Sequence, residues 1–325
     1  MRILLIKMSS MGDIIHTLPA VTDATLAFPH IQFDWVVEEA FTEIPKWHRQ
    51  VQQVIPIGLR RWRKKLPSAI QTGELKRFCK QLRERSYDFV LDAQGLIKSA
   101  ITTRLSRGYR LGMDKHSVRE NLACLAYQQT FSVPWQQHAM TRLRQLFSQA
   151  LNYPLPSTPP HYGIDKEKWC QSKLELPKDY ILLIPNTSCL TKQWSYHSWC
   201  LLIKEVTQWG MNVFIPWGNA VEKENAQRLT QKSVLSHVLP FLSLNEIAAV
   251  IADAKMIIAV DTGLSHLAAA LRVPSIVLYG PTNPLWIGTV GPQQFHIKMD
   301  LHRTSRSDSI VLKKIIDTVQ HFLTQ

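Results

Sequence analysis

The feature that most restricts the fold of this 325-residue chain is a recurring pattern. A short apolar run stops abruptly at glycine, proline or a small polar residue, and an amphipathic stretch follows. In the first half the runs are RILLIK (2–7), FDWVV (33–37), YDFVLDAQG (87–95) and YRLGM (109–113), with helical patterns such as PAVTDATLAF and GELKRFCKQLRER between them. Apolar strands alternating with helices predict a parallel sheet covered on both faces. The stretch ALNYPLPSTPPHYG (150–163) carries four prolines and no apolar period, which predicts a linker. Alternation then restarts with YILLIPNTS (180–188), MNVFIPWG (211–218), KMIIAVDTG (255–263) and PSIVLYGPT (274–282). The expectation is an α/β protein of two doubly wound parallel-sheet units, 1–165 and 166–325, facing across a cleft. The amphipathic tail SIVLKKIIDTVQHFLTQ predicts a terminal helix packing back toward the first unit.

Charge narrows the partners. The 38 Lys and Arg against 25 Asp and Glu leave +13, which favours nucleic acid, a phosphorylated metabolite or an acidic membrane surface without choosing among them. The five cysteines are scattered, with no C-x-x-C, which suits a reducing cytosol rather than a disulfide framework or zinc knuckle. RILLIK is too short for a signal-peptide core, and no window reaches the roughly 18 apolar residues of a membrane span. Any membrane contact is expected from the surface.

In the second half, DTGLSHLAAAL (261–271) follows an apolar strand and opens a helix. A single D-T-G lacks the second carboxylate of an aspartic protease, and Leu267 breaks the G-x-S-x-G nucleophile elbow. What remains is a helix start whose free amides can hold phosphate, or a purely structural turn. Thr187, Ser188 and Lys192 occupy an equivalent strand end, as do Trp217, Gly218 and Glu222, and Tyr279 to Thr282. A lysine beside hydroxyls can neutralise a diphosphate, and a carboxylate can accept from ribose hydroxyls. G-x-G-x-x-G is missing, which disfavours a nicotinamide dehydrogenase, and no histidine cluster or D-x-D points to a metal.

In the first half, Asp13 follows Ser9, Ser10 and Gly12 at the end of the first strand. It reads either as a helix cap or as a catalytic base at the strand-end crevice of an open sheet. LRRWRKK (59–65) reads as a solvated loop, a nucleic-acid contact or a site for an acidic acceptor. Glu38 and Glu39 end the second strand, and Asp92, Gln94, Gly95 and Lys98 end the third.

KMSSMGDIIHTLPA, FDWVVEEAF, RRWRKK, DAQGLIKSA, IPWGNAVEKENAQRL, VDTGLSHLAAAL and LYGPTNP together resemble the lipopolysaccharide heptosyltransferases of glycosyltransferase family 9, over the whole chain and in the family's order. The likeness is to the type I enzymes; type II differs around the first acid and lacks RRWRKK. The resemblance implies a GT-B glycosyltransferase with two Rossmann-like domains, acceptor in the first and donor in the second. It implies inverting, metal-independent transfer of heptose from ADP-heptose to the first Kdo of Kdo2-lipid A, without a cofactor or nucleic-acid partner. The place implied is the cytoplasmic face of the bacterial inner membrane. Asp13 matches the family's base. Lys192 matches its donor-phosphate lysine and shares the catalytic role, and Glu222 matches its ribose acid. Asp261, Thr262, Gly263 and His266 match its nucleotide-sugar loop, and Thr187, Ser188, Trp217 and Gly218 are assigned to the donor with them. Ser10, Gly12, Arg60, Arg61, Arg63, Lys64, Gln94 and Lys98 are assigned to the acceptor. The alternatives are a type II enzyme or another sugar-nucleotide transferase, and a non-catalytic nucleic-acid-binding protein.

Overall fold

The computed structural model describes residues 1–165, 174–187, 189–300 and 304–324, and the chain divides into two compact units, Met1–Lys168 and Trp169–Gln325. The first unit contains β1 (Arg2–Ile6), β2 (Gln32–Glu38), β3 (Val51–Ile57), β4 (Phe89–Asp92), β5 (Tyr109–Met113) and β6 (Gln129–Phe131). All pair in parallel, in the order β3-β2-β1-β4-β5-β6. Its helices are α1 (Met11–Ala27), α2 (Glu43–Lys46), α3 (Leu59–Trp62), α4 (Leu66–Gln71), α5 (Glu74–Leu82), α6 (Ile97–Leu105) and α7 (Ala139–Leu151).

The second unit repeats the plan. Its strands are β7 (Tyr180–Ile184), β8 (Asn212–Ile215), β9 (Ser236–Val238), β10 (Met256–Val260), β11 (Ser275–Tyr279) and β12 (Gln294–Lys298). They lie parallel in the order β12-β11-β10-β7-β8-β9. Its helices are α8 (Tyr196–Gln208), α9 (Ala220–Thr230), α10 (Leu244–Asp253), α11 (Gly263–Ala270), α12 (Pro284–Ile287) and α13 (Ser305–Leu323). Counted from its own first strand, each sheet runs 3-2-1-4-5-6. That is the doubly wound order in which the winding reverses between strands 1 and 4 and opens a crevice at their C-terminal ends. The expected α/β class is what the structure has.

Burial explains which strands the sequence announces. Every residue of β7, β10 and β11 is buried, as central parallel strands with helices on both faces require. The strands without an apolar run in the sequence are β3, β6, β9 and β12, the edges of the two sheets. VQQVIPI of β3 alternates and includes exposed Pro56, which an edge tolerates because its missing N–H interrupts no inner ladder.

One further boundary differs from expectation. The helix headed by Asp13 and the pattern starting at Pro19 are one helix, α1, with Pro19 inside it. An internal proline costs about 3 kcal/mol. Here the helix is buried continuously from Gly12, apart from Asp13, to Ala24, and that packing outweighs the break. The tail helix α13 inserts Val311, Ile315 and Val319 into the second unit's core beside Trp199 and Leu202.

α1 packs on α7 around a buried ion pair. Arg144 donates from Nε to Asp23 at 2.5 Å and from Nη2 at 3.2 Å. The same guanidinium donates to the carbonyls of Thr158 and Pro156, holding the proline-rich segment against the first unit. Breaking one half of a buried pair leaves an uncompensated charge, so Arg144→Met should lower the unfolding free energy by about 3 kcal/mol. Urea denaturation measures this, and a loss well under about 1 kcal/mol would contradict the role assigned to the pair.

Candidate active site

At the reversal point of the first sheet, β1 is followed directly by Lys7, a buried lysine that donates to the Ala93 carbonyl at 3.0 Å just beyond β4. Gln94 turns its side-chain oxygen back to accept from the backbone N–H groups of Met8 (3.0 Å) and Ser9 (3.2 Å), and Lys98 donates to the Ser9 hydroxyl at 3.2 Å. Asp92 shapes this turn. Its carboxylate accepts from the N–H groups of Gln94 and Gly95 and from the Tyr127 hydroxyl at 2.8 Å, while burial pushes its pKa up. Gln94 and Lys98 therefore fasten the loop that carries Ser10 and leads into α1, whose first turn holds Gly12.

Asp13 sits in the first turn of α1 and does cap it. Its Oδ2 accepts from the Ser10 N–H at 2.9 Å and from the Ser10 hydroxyl at 2.8 Å. Oδ1 makes no such bond and stands 4.0 Å from the Lys7 ammonium, on a side chain 29% exposed. Burial works against its charge, but Lys7 and the two Ser10 donors outweigh it and pull the pKa down to about 2. Burial lowers the pKa of Lys7, and Asp13 partly restores it.

This carboxylate opens on a small cavity whose walls include Lys7, Gln94, Arg119, Trp135 and Arg142. Arg142 lies 3.7 Å over the Trp135 ring and donates to the Ser117 carbonyl at 2.6 Å. Burial and then neighbouring Arg119 lower its pKa to about 10. Sequence reasoning missed Lys7, Arg119, Trp135 and Arg142. Lys7 left one signal, a lysine following an apolar strand; Arg142 lies on the amphipathic helix α7, whose period marks its core face only, and Arg119 and Trp135 lie in segments with no period or motif.

The acceptor candidates of the basic turn do not line this cavity. Arg60 and Arg61 lie on α3, followed by exposed Arg63 and Lys64. Arg60 donates its backbone N–H to Glu38 at 2.8 Å and sets its guanidinium 5.3 Å from the centre of the Phe41 ring. Arg61 pairs with Glu39 at 3.1 Å and Glu74 at 2.7 Å. The paired acids Glu38 and Glu39 therefore brace the basic turn rather than face each other for acid–base work.

In the second unit the reversal point gathers Thr187, Lys192, Asp261, Thr262, Gly263 and His266; Ser188 lies outside the described residues. Lys192 donates to Asp261 Oδ2 at 2.6 Å, and His266 Nε2 lies 3.9 Å from Oδ1. Asp261 is buried, and burial disfavours its charge. His266, Lys192 and Thr282 override that and lower its pKa from 3.8 to about 2. Thr262 caps α11 and Gly263 starts it, so the free amides of that helix open beside the lysine. Gly280 makes the assembly possible, because a Cβ there would lie 2.7 Å from the Thr191 carbonyl, in the turn that delivers Lys192.

Trp217, Gly218 and Glu222 form a neighbouring group where β8 ends, one strand beyond β7. Glu222 accepts from the Gly218 N–H at 2.7 Å through Oε2. The Trp217 indole donates to the Leu239 carbonyl at 2.7 Å, with Phe241 against its ring.

Chemically, the first cluster offers an ionised carboxylate oxygen within a cationic wall. The second offers a lysine held by a buried acid beside a helix start. Both suit anionic ligands, and the first can also accept a proton.

Glycosyltransferase family 9 (heptosyltransferase) matches residues 75–314 of the chain. Lipopolysaccharide heptosyltransferase 1 of Pseudomonas aeruginosa is 49% identical over 301 residues, 92% of this chain and 84% of that protein. The E. coli heptosyltransferase WaaC with ADP superposes at a TM-score of 0.90 with 43% identity, over 98% of this chain and 100% of that one. The same E. coli enzyme with ADP-2-deoxy-2-fluoro heptose gives 0.87 and 41%, over 98% and 99%.

Lys192 supplies a pH test. Because the Asp261 pKa is lower in the folded protein, its ionisation adds stability in full above about pH 4, and that stability is lost as pH falls toward 2. Lys192→Met returns the folded pKa toward 3.8, so the variant should be less stable near neutrality by about 1–2 kcal/mol and the deficit should shrink on acidification. Urea midpoints across the acid range measure it; a deficit independent of pH would show that Lys192 does not hold the acid ionised.

Proposed function

The chain belongs to glycosyltransferase family 9, the heptosyltransferases, and we propose that its acceptor is the first Kdo of Kdo2-lipid A, with Asp13 as the base. It is a glycosyltransferase that transfers heptose in lipopolysaccharide core synthesis. The observation that carries this reading is the environment of Asp13: one oxygen is committed to Ser10, the other stands 4.0 Å from Lys7, and the residue lines a cavity with Lys7, Arg119 and Arg142. An acidic sugar such as Kdo needs such a wall for its carboxylate, and its attacking hydroxyl needs a proton acceptor.

In the reaction the acceptor oxygen bonds to the anomeric carbon of the donor heptose as the bond from that carbon to the phosphate oxygen breaks. ADP leaves with the electron pair, the configuration inverts, and the hydroxyl proton passes to Asp13 Oδ1. A carboxylate with a pKa of about 2 is a weak base before substrate binds. It can still take the proton in a concerted step, because the hydroxyl becomes strongly acidic as the new C–O bond forms. Lys7 keeps this carboxylate ionised near neutrality.

The donor is ADP-heptose, the class of ligand in the E. coli enzyme solved with ADP-2-deoxy-2-fluoro heptose. Lys192 and the Gly263 amide at the start of α11, which Thr262 caps, receive the diphosphate, fixed dipoles and charge that stabilise the departing ADP. Asp261 orients Lys192 from behind, His266 and Thr187 complete that loop, and Ser188 belongs to it by sequence. Glu222 uses the oxygen not bonded to Gly218 for a ribose hydroxyl, with Trp217 beside it. Ser10, Gly12, Gln94 and Lys98 hold the acceptor side, while Arg60, Arg63 and Lys64 reach for the anionic groups of lipid A. Arg61, already paired twice, stiffens that turn. No helix among the described residues is long and apolar enough to cross a membrane, and we place the chain at the cytoplasmic surface of the inner membrane through peripheral contact.

Turnover tests the acceptor. ADP-heptose with Kdo2-lipid A should give product, whereas product only with an already heptosylated acceptor would overturn the reading. Asp13→Asn should lower kcat about 10²–10⁴-fold with donor affinity unchanged, and near-normal kcat would remove the base. Replacing Arg63 and Lys64 together should raise the acceptor KM; an effect confined to donor KM would move those residues to the other substrate.

A further inference from the structure

Two neighbouring elements of the first unit are built inside out. A surface helix ordinarily buries its apolar stripe and exposes its polar face. In α6 the buried residues are Ser99, Ala100, Thr102 and Thr103, while Ile97 and Ile101 are 44% and 56% exposed. The short 3-10 helix Asn121–Ala126 does the same: Ala123 and Ala126 are buried, and Leu122 and Leu125 are 67% and 76% exposed. Residues three apart share a face in a 3-10 turn, so the two leucines stand together.

The elements pack on each other through Ala100, Ala123 and Ala126. The N-terminus of α6 is tied to the start of the second element by the Ile97 N–H, which donates to Glu120 at 2.6 Å. Small side chains inside bring the two backbones together, and four large aliphatic side chains are left facing water.

From this inverted pair we infer a docking surface for an anionic lipid bilayer, made by Ile97, Ile101, Leu122 and Leu125. Charge selects the occupant. Residues 97–126 hold six Lys or Arg against two acids, and Lys98 and Arg104 on α6 are exposed. Aliphatic side chains at the acyl boundary with cations at headgroup level match the surface of an anionic leaflet. A second copy of this chain would bring like charges together across the contact.

Position gives the surface a use. Lys98 is bonded to Ser9, and Arg119, just before the 3-10 helix, lines the Asp13 cavity. A bilayer seated here would present a lipid headgroup at the mouth of that cavity. This use rests on the lipid-linked acceptor proposed above, whereas vesicle binding tests the surface on its own.

The experiment is sedimentation of the full chain with vesicles of phosphatidylcholine mixed with phosphatidylglycerol, against phosphatidylcholine alone. Wild type should bind the mixed vesicles, and Leu122→Ser with Leu125→Ser should weaken this about tenfold or more. Turnover of a deacylated, water-soluble acceptor should be unchanged in the variant, which also shows that it folds. Ile101→Ser serves as the second variant and should weaken vesicle binding in the same direction. Absence of wild-type binding, binding that survives all three substitutions, or a wild-type dimer that they split into monomers would each overturn the inference. Loss of turnover in wild type with vesicle binding intact would instead count against the acceptor reading alone.

Discussion

Reversal of winding in each sheet is the constraint on which the rest depends. Because β1 and β4 receive their following helices on opposite faces, the loops after them part, and nothing fills the gap except the side chains those loops carry. Lys7, Ser10, Asp13 and Gln94 are where they are for that reason. The same reversal between β7 and β10 brings Lys192 to Asp261 across 69 residues of sequence. Chemistry enters at these points because open backbone there is unpaired by the sheets themselves.

Both crevices pair a lysine with a carboxylate, yet the two pairs are set differently. In the second unit the contact is direct, 2.6 Å, and the acid is almost wholly enclosed, so the acid serves the lysine. In the first unit the lysine is the enclosed partner and stands 4.0 Å away, so the lysine serves the acid. One arrangement aims a positive charge outward, and the other aims a negative one. Burial decides which member is left facing outward, since the enclosed member is committed to its partner.

How much of this could be read from the sequence follows from the same burial. Inner strands are covered on both faces, so RILLI, YILLI, MIIAV and SIVLY are conspicuous as text. Edge strands such as QTF and QFHIK have one neighbour and water beside them, and their composition resembles that of loops. Asp13, Lys192 and Asp261 were legible because each lies just beyond an inner strand. Arg119, Trp135 and Arg142 were not, because what unites them is the folding of the segment after β5 around one cavity, which leaves no spacing behind. RRWRKK was conspicuous for its charge, but no spacing in the text shows that Glu39 and Glu74 hold Arg61.

The modest edges have one more consequence. A sheet that is not closed into a barrel leaves a row of amides and carbonyls along each side, able to zip onto the same row of another molecule. Here β6 and β9 are three residues long, β3 carries Pro56, and β12 finishes on Lys298. None gives a newly made neighbour a long, flat template, so crowded copies can fold side by side without knitting together into fibrils.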